Sequence, residues 1–165
     1  MARAALKQWY DQTRDKLRTL HGFNAALAKG GVERMGFADF GGLGGLTKFQ
    51  YGKFDNFAQQ LLDGKQPLNG FFFERVGLYV KAGRGTYWEQ RRRDVQLKGL
   101  TEERRRLTRG KEHCRTNSSR IGCVEWADMG WQPLGTLGRL GNSPCLTRCG
   151  CVFQWRKGPG GKVFQ

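Results

Sequence analysis

The 165-residue sequence contains no long run of apolar residues. Its opening stretch, MARAALKQWYDQTRDKL, interrupts each apolar group with charged or polar residues. This pattern excludes both the apolar core of a signal peptide and a segment long enough to cross a bilayer. We therefore expect a soluble protein that is made in the cytosol and has no membrane partner.

Acidic residues are also scarce. The chain has 14 Asp and Glu against 29 Lys and Arg, which gives a formal net charge of +15 at pH 7. An excess of this size favours a polyanionic neighbour, either nucleic acid or an acidic protein surface. Nearly half of it lies between residues 84 and 120. The candidate contacts with DNA phosphates or an acidic partner are seven arginines of this segment: Arg84, Arg91, Arg92, Arg93, Arg104, Arg105 and Arg106.

The sequence lacks the motifs of common catalytic sites. No Gly-Lys-Ser or Gly-Lys-Thr ending follows the glycines of GGLGG, which excludes a phosphate-binding loop. His113 and Cys114 are adjacent, and neighbours in an extended chain point apart, which disfavours a Cys–His nucleophile pair. PCLTRC is one residue too long for the Pro-Cys-x-x-Cys of zinc deaminases, and their His-x-Glu is absent. We expect a protein that is not an enzyme.

The spacing of apolar residues predicts helices in the first part of the chain. Residues 3–20 carry apolar residues three and four positions apart, which is typical of an amphipathic helix. Residues 30–52 contain eight glycines and no sustained period, so they are predicted to form a loop or an extended arm. Helical spacing returns at Phe54 and continues to Gly64.

A longer helix is predicted from Asn69. Its expected apolar face consists of Phe72, Phe73, Val76, Tyr79 and Val80. Further along, TEERRR is consistent with either the first turn of a helix or a short strand.

The sequence thus indicates an α+β fold in three segments. Residues 1–69 form an N-terminal helix and a glycine-rich docking arm. Residues 70–112 form a basic helical segment, and residues 113–165 form a small cysteine-rich module with short strands.

All five cysteines lie within residues 114–151, with the spacing C-x8-C-x21-C-x3-C-x-C. On a strand, Cys149 and Cys151 point to the same face as Phe153 and Trp155. Converging thiols suit one structural zinc, which takes four thiolate or imidazole ligands. The predicted metal ligands are drawn from Cys114, Cys123, Cys145, Cys149 and Cys151, and His113 is a sixth candidate. Disulfides and free buried thiols are the alternatives.

The C-terminal part of the chain resembles a family of phage proteins. A basic segment leads into a Glu-His-Cys element, a second cysteine, a Gly-Trp-x-Pro turn with Gly-Thr-Leu, and a closing Cys-x-Cys. The matching residues are Glu112, His113, Cys114, Cys123, Gly130, Trp131, Pro133, Gly135, Thr136, Leu137, Cys145, Cys149 and Cys151. Over about residues 70–156, this order is similar to that of the minor head, or head-morphogenesis, proteins of tailed bacteriophages.

The resemblance implies a non-enzymatic virion protein that is assembled in the host cytoplasm. Its expected position is near the portal or the head-to-tail junction, in multiple copies within a symmetric assembly. The implied partners are portal, connector or capsid subunits and the packaged DNA. Charge and cysteines alone also allow a second interpretation, a zinc-dependent nucleic-acid-binding module.

Overall fold

A computed structural model describes residues 2–67 and 70–165. Four α-helices and one three-stranded antiparallel sheet occur in these residues, so the expected α+β fold is confirmed. The helices are α1 (Ala2–Lys29), α2 (Phe37–Leu62), α3 (Gly70–Leu97) and α4 (Cys123–Asp128). The strands are β1 (Glu102–Arg106), β2 (Gln132–Pro133) and β3 (Val152–Arg156), and two short 3-10 helices span Val32–Arg34 and Leu146–Arg148.

The chain divides into two compact units. The N-terminal unit ends at Thr86 and the C-terminal unit comprises Tyr87–Gln165, so the boundary falls within α3. The predicted basic helical segment is helical only as far as Leu97. Gly99 takes a positive φ of 74°, which ends the helix, and β1 follows. The helical prediction is therefore wrong for residues 98–112, and the short strand that was the alternative for TEERRR is confirmed.

The N-terminal unit has an aromatic core. The predicted amphipathic helix is confirmed as α1, which buries Leu17 against Phe54, Phe57, Leu61 and Tyr79. The Phe54 and Tyr79 rings meet edge to face, with centroids 5.4 Å apart. Edge-to-face contact favours a fixed arrangement of these large side chains.

The glycine-rich stretch does not form the predicted arm, because residues 37–52 belong to α2. The helix begins at a cap in which Asp39 accepts a hydrogen bond from the Gly36 backbone N–H at 2.8 Å. The Lys29 ammonium lies 3.1 Å from the same carboxylate. This cap and the buried side chains further along α2 outweigh the low helix propensity of glycine.

The expected apolar face of α3 is only partly correct. Phe72, Val76 and Tyr79 pack in the aromatic core, and their spacing follows one helical stripe. Phe73 and Val80 each follow a residue of that stripe in the sequence, so they lie about 100° further around the helix axis. They are 72% and 57% exposed. The prediction included too wide an arc of the helix.

The C-terminal unit is built on a sheet of strand order β2-β1-β3. Phe153 and Trp155 of β3 are fully buried and pack with Trp88 and Leu137. The predicted common face of β3 is therefore confirmed for these residues.

The central strand β1 turns two charged residues inward. Glu103 is 0% exposed and Arg105 is 2% exposed, whereas Arg106 is exposed. Alternation along a strand produces this pattern, and a buried charge requires a partner.

The partner of Glu103 is Arg92 of α3. The Glu103 carboxylate accepts hydrogen bonds from Arg92 Nε at 2.8 Å and from the Leu137 backbone N–H at 3.0 Å. Arg92 also donates to the Leu137 carbonyl at 3.1 Å and to Glu89 at 3.2 Å. Arg92 is therefore a structural residue, and its predicted contact with an external partner is wrong.

We expect Arg92→Ala to destabilise the C-terminal unit by about 3–5 kcal/mol, because it leaves the Glu103 carboxylate buried and unpaired. The matched control is Arg106→Ala on the same sheet, which should change stability by less than about 0.5 kcal/mol. Urea unfolding followed by tryptophan fluorescence gives both values. Equal unfolding midpoints for the two variants would contradict this role of Arg92.

The N-terminal unit also buries a histidine. His21 of α1 is 1% exposed, and its Nδ1 lies 2.6 Å from Thr86 Oγ1. Its Nε2 has no hydrogen-bond partner among the described residues. Burial lowers the pKa of His21, because the enclosed ring is harder to charge.

This unit should lose stability as the pH falls below about 6.5, the pKa of an unperturbed histidine. Below that pH the histidine of the unfolded chain binds a proton, whereas the buried His21 of the folded chain stays neutral until the pH is lower. His21→Asn should lower stability at pH 8 and reduce the slope between about pH 7 and pH 5. Urea unfolding at several pH values, followed by far-ultraviolet circular dichroism, measures the slope. An unchanged slope in the variant would refute the assignment to His21.

Candidate metal centre

Three parts of the C-terminal unit carry the cysteines to one place. Cys114 lies in the loop after β1, and Cys123 is the first residue of α4. Cys145 and Cys149 flank the short 3-10 helix, and Cys151 directly precedes β3. The loop and α4 are joined at the backbone, since the Cys123 N–H donates to the Cys114 carbonyl at 2.9 Å.

The five sulfur atoms form two overlapping groups that share Cys123. One group is Cys114, Cys123 and Cys145, and the other is Cys123, Cys149 and Cys151. Within each group all sulfurs lie within 4.8 Å of one another, so the cysteines could hold a metal ion. All five predicted ligands are thus brought together.

The sulfur separations fit shared coordination better than covalent pairing. Cys123 Sγ lies 3.5 Å from Cys145 Sγ and 3.5 Å from Cys149 Sγ, and none of the five cysteines forms a disulfide. A disulfide requires about 2.05 Å. Two thiolates on one tetrahedral zinc lie about 3.8 Å apart, because each zinc–sulfur bond is about 2.3 Å.

A histidine lies beside the second group. His113 Nδ1 is 3.5 Å from Cys151 Sγ, and His113 Nε2 is 2.9 Å from the Thr108 carbonyl oxygen. The loop that carries His113 also carries Cys114, so the Glu-His-Cys element places both residues at the cluster.

A buried arginine contacts the cluster from β1. Arg105 donates to Ser143 Oγ at 2.9 Å, to the Gly138 carbonyl, and to Cys123 Sγ at 3.7 Å. Arg105 is therefore held inside the chain, and its predicted contact with an external partner is wrong. The prediction failed because arginine content alone does not reveal which face of a strand is buried.

The thiols influence one another strongly. Hydrogen bonds from Cys123 and Cys151 hold the pKa of Cys149 far below its usual value, and the charge of Arg105 acts in the same direction. Burial raises the pKa of Cys145, and the hydrogen bond with Cys123 raises that of Cys151. The cluster therefore favours a thiolate at its buried side, which is the form that binds metals.

The other predicted arginines differ in exposure. Arg106 is exposed, and Arg84, Arg91, Arg93 and Arg104 are half-buried. Several exposed basic residues that we did not single out lie around the cysteine loop: Arg109, Lys111, Arg115 and Arg120. All four lie within residues 84–120, so the positive charge of that segment could have identified them as candidate contacts.

Trp131 lies between two arginines of the sheet. The guanidinium carbons of Arg104 and Arg156 are 4.7 Å and 4.3 Å from the centre of its ring. These cation–π contacts hold the Gly-Trp-x-Pro turn against β1 and β3.

No helix in the described part of the chain is both long and apolar enough to cross a membrane. No protein-family model, curated protein or solved structure matches the chain. The resemblance to phage minor head proteins accordingly stays a prediction.

Proposed function

We propose that this chain is a non-enzymatic structural protein whose C-terminal unit is stabilised by one zinc ion. The observation that carries the proposal is the convergence of five cysteine sulfurs around Cys123. The resemblance supports a place in a tailed-phage virion, as a minor head protein near the portal or the head-to-tail junction.

The ligand chemistry favours zinc. Thiolates are soft ligands, and sites rich in cysteine select zinc over the hard cations magnesium and calcium. Cys123, Cys149 and Cys151 are almost completely buried, which is typical of a closed structural site. An ion at this site would have all its coordination positions filled by protein ligands, so its role would be to stabilise the fold.

The chain around the cysteine cluster contains little regular secondary structure, so a bound ion that links its segments would stabilise it. Between β1 and α4, residues 107–122 form no helix or strand. A second irregular segment, residues 134–145, leads from β2 to the 3-10 helix. A zinc ion at the cluster would join the first segment to α4, to the end of the 3-10 helix and to β3, and would offset the entropy lost in ordering that segment.

The charge of the C-terminal unit suggests how the protein meets its partners. Residues 87–165 contain 16 Lys and Arg and 7 Asp and Glu. The exposed residues Arg106, Arg109, Lys111, Arg115 and Arg120 belong to this excess. An acidic surface on a portal, connector or capsid subunit would complement them.

The same exposed residues favour a second candidate, a zinc-dependent nucleic-acid-binding module. Basic side chains on an irregular loop next to a metal centre can contact successive phosphates. Both candidate functions include the structural zinc, and they differ in the partner, which is a virion subunit in the first and a nucleic acid in the second.

Chelation of zinc should unfold the C-terminal unit. Structural zinc sites contribute on the order of 10 kcal/mol to folding, more than most domains have in reserve. Elemental analysis should find about one zinc per chain, and its removal should abolish the near-ultraviolet dichroism of the buried tryptophans. Cys123→Ser should do the same, and Ser118→Ala in the exposed loop is the matched control. A chain that stays folded without metal would refute the proposed zinc.

Salt should separate the two candidate partners. A structural virion protein that also packs against neighbouring subunits should stay at a fixed copy number in purified phage particles after a wash at high salt, because packing contacts are not screened by salt. A protein held by phosphate contacts should be released, because its affinity falls steeply with salt concentration. Quantitative mass spectrometry of washed particles measures the copy number. Absence of the protein from intact particles even at low salt would contradict the virion assignment.

A further inference from the structure

The two cysteine groups differ in how completely they are enclosed. Cys123, Cys149 and Cys151 are 1%, 4% and 0% exposed. Cys114 and Cys145 are half-buried. A structural zinc is held most securely where water cannot compete for its coordination positions, which favours the enclosed group.

The enclosed group has three sulfurs, and a suitable fourth ligand lies next to one of them, Cys151. His113 Nε2 lies 2.9 Å from the Thr108 carbonyl, which can only accept, so Nε2 carries the hydrogen and donates it. In the neutral ring Nδ1 is then free of hydrogen, and its lone pair is available to a metal. Histidines that bind metals commonly donate their other N–H to a backbone carbonyl in this way.

Two of the separations match those expected between ligands of a single tetrahedral ion. A nitrogen and a sulfur bound to one zinc lie about 3.6 Å apart, given bonds of about 2.0–2.1 Å and 2.3 Å. His113 Nδ1 is 3.5 Å from Cys151 Sγ, and Cys123 Sγ is 3.5 Å from Cys149 Sγ.

The charge balance also favours a nitrogen ligand. Zinc with three thiolates and a neutral imidazole carries one negative charge, and zinc with four thiolates carries two. The Arg105 guanidinium, 3.7 Å from Cys123 Sγ and 2% exposed, supplies one positive charge. Three thiolates with histidine therefore leave the buried site neutral, which avoids the cost of an unpaired buried charge.

We infer that the zinc ligands are Cys123, Cys149, Cys151 and His113, with His113 bound through Nδ1. The inference depends on the proposed zinc function and specifies its site. Cys114 and Cys145 are then neighbours of the ion and do not bind it.

X-ray absorption at the zinc edge of the full-length protein tests the ligand set directly. The expected signal is three sulfurs and one nitrogen. In His113→Cys the ion should be retained and the signal should change to four sulfurs, because a thiolate replaces the imidazole. This variant keeps four ligands, so it remains informative if His113→Ala fails to fold.

Competition with a chelator gives the affinities. His113→Ala should weaken zinc binding by more than about 10-fold, since the loss of an outer-shell partner alone costs about 10–100-fold. Glu112→Ala, at the exposed neighbouring position, is the matched control and should bind zinc as the unmodified protein does. Cys114→Ser should keep the signal of three sulfurs and one nitrogen.

Two results would overturn the inference, and they differ in what else they affect. Four sulfurs in the unmodified protein, with zinc affinity unchanged in His113→Ala, would refute the ligand set and leave the structural zinc in place. A folded protein that binds no zinc would refute both the ligand set and the proposed function.

Discussion

The C-terminal unit depends on the two charged side chains that β1 turns inward. Glu103 and Arg105 are both almost fully buried, and a charge in that position is tolerated only with partners that satisfy it. The Glu103 carboxylate accepts hydrogen bonds from Arg92 of α3 and from the backbone N–H of Leu137. Arg105 donates hydrogen bonds to Ser143, to the Gly138 carbonyl and to the Cys123 sulfur. These contacts fix the irregular segment after β2 to the central strand.

The same constraint links the folded interior to the cysteine cluster. Ser143 is two residues before Cys145, so fixing Ser143 to Arg105 brings that part of the chain to Cys123. The positive charge of Arg105 also stabilises a thiolate at Cys149. Thiolate charge in the cysteine cluster and the buried guanidinium of Arg105 would each compensate the other. This reciprocity explains why one strand can bury an arginine beside a group of cysteines.

The sequence was informative wherever the signal is local. The period of α1, the end of α2, and the alternation that buries Phe153 and Trp155 follow from neighbouring residues. The gathering of the cysteines was expected from the shared chemistry of their thiols. The helical state of residues 37–52 was missed because glycine content outweighed the cap formed by Gly36 and Asp39.

Contacts between distant residues could not be predicted in this way. The burial of Arg92 and Arg105 could not be predicted because their partners, Glu103 and Ser143, lie 11 and 38 positions away. The roles of the individual cysteines and of His113 depend on three segments meeting, and spacing alone does not determine which sulfurs become enclosed. The phage resemblance concerns the order of residues, and the fold neither requires nor opposes it.

The most direct test of the central claim is mass spectrometry of the intact chain under native and denaturing conditions. The account predicts that the native mass exceeds the denatured mass by about one zinc ion, less the protons displaced by its thiolates. The denatured mass should correspond to five reduced cysteines. A native chain without zinc, together with a denatured mass lower by two hydrogens for each disulfide, would contradict the account.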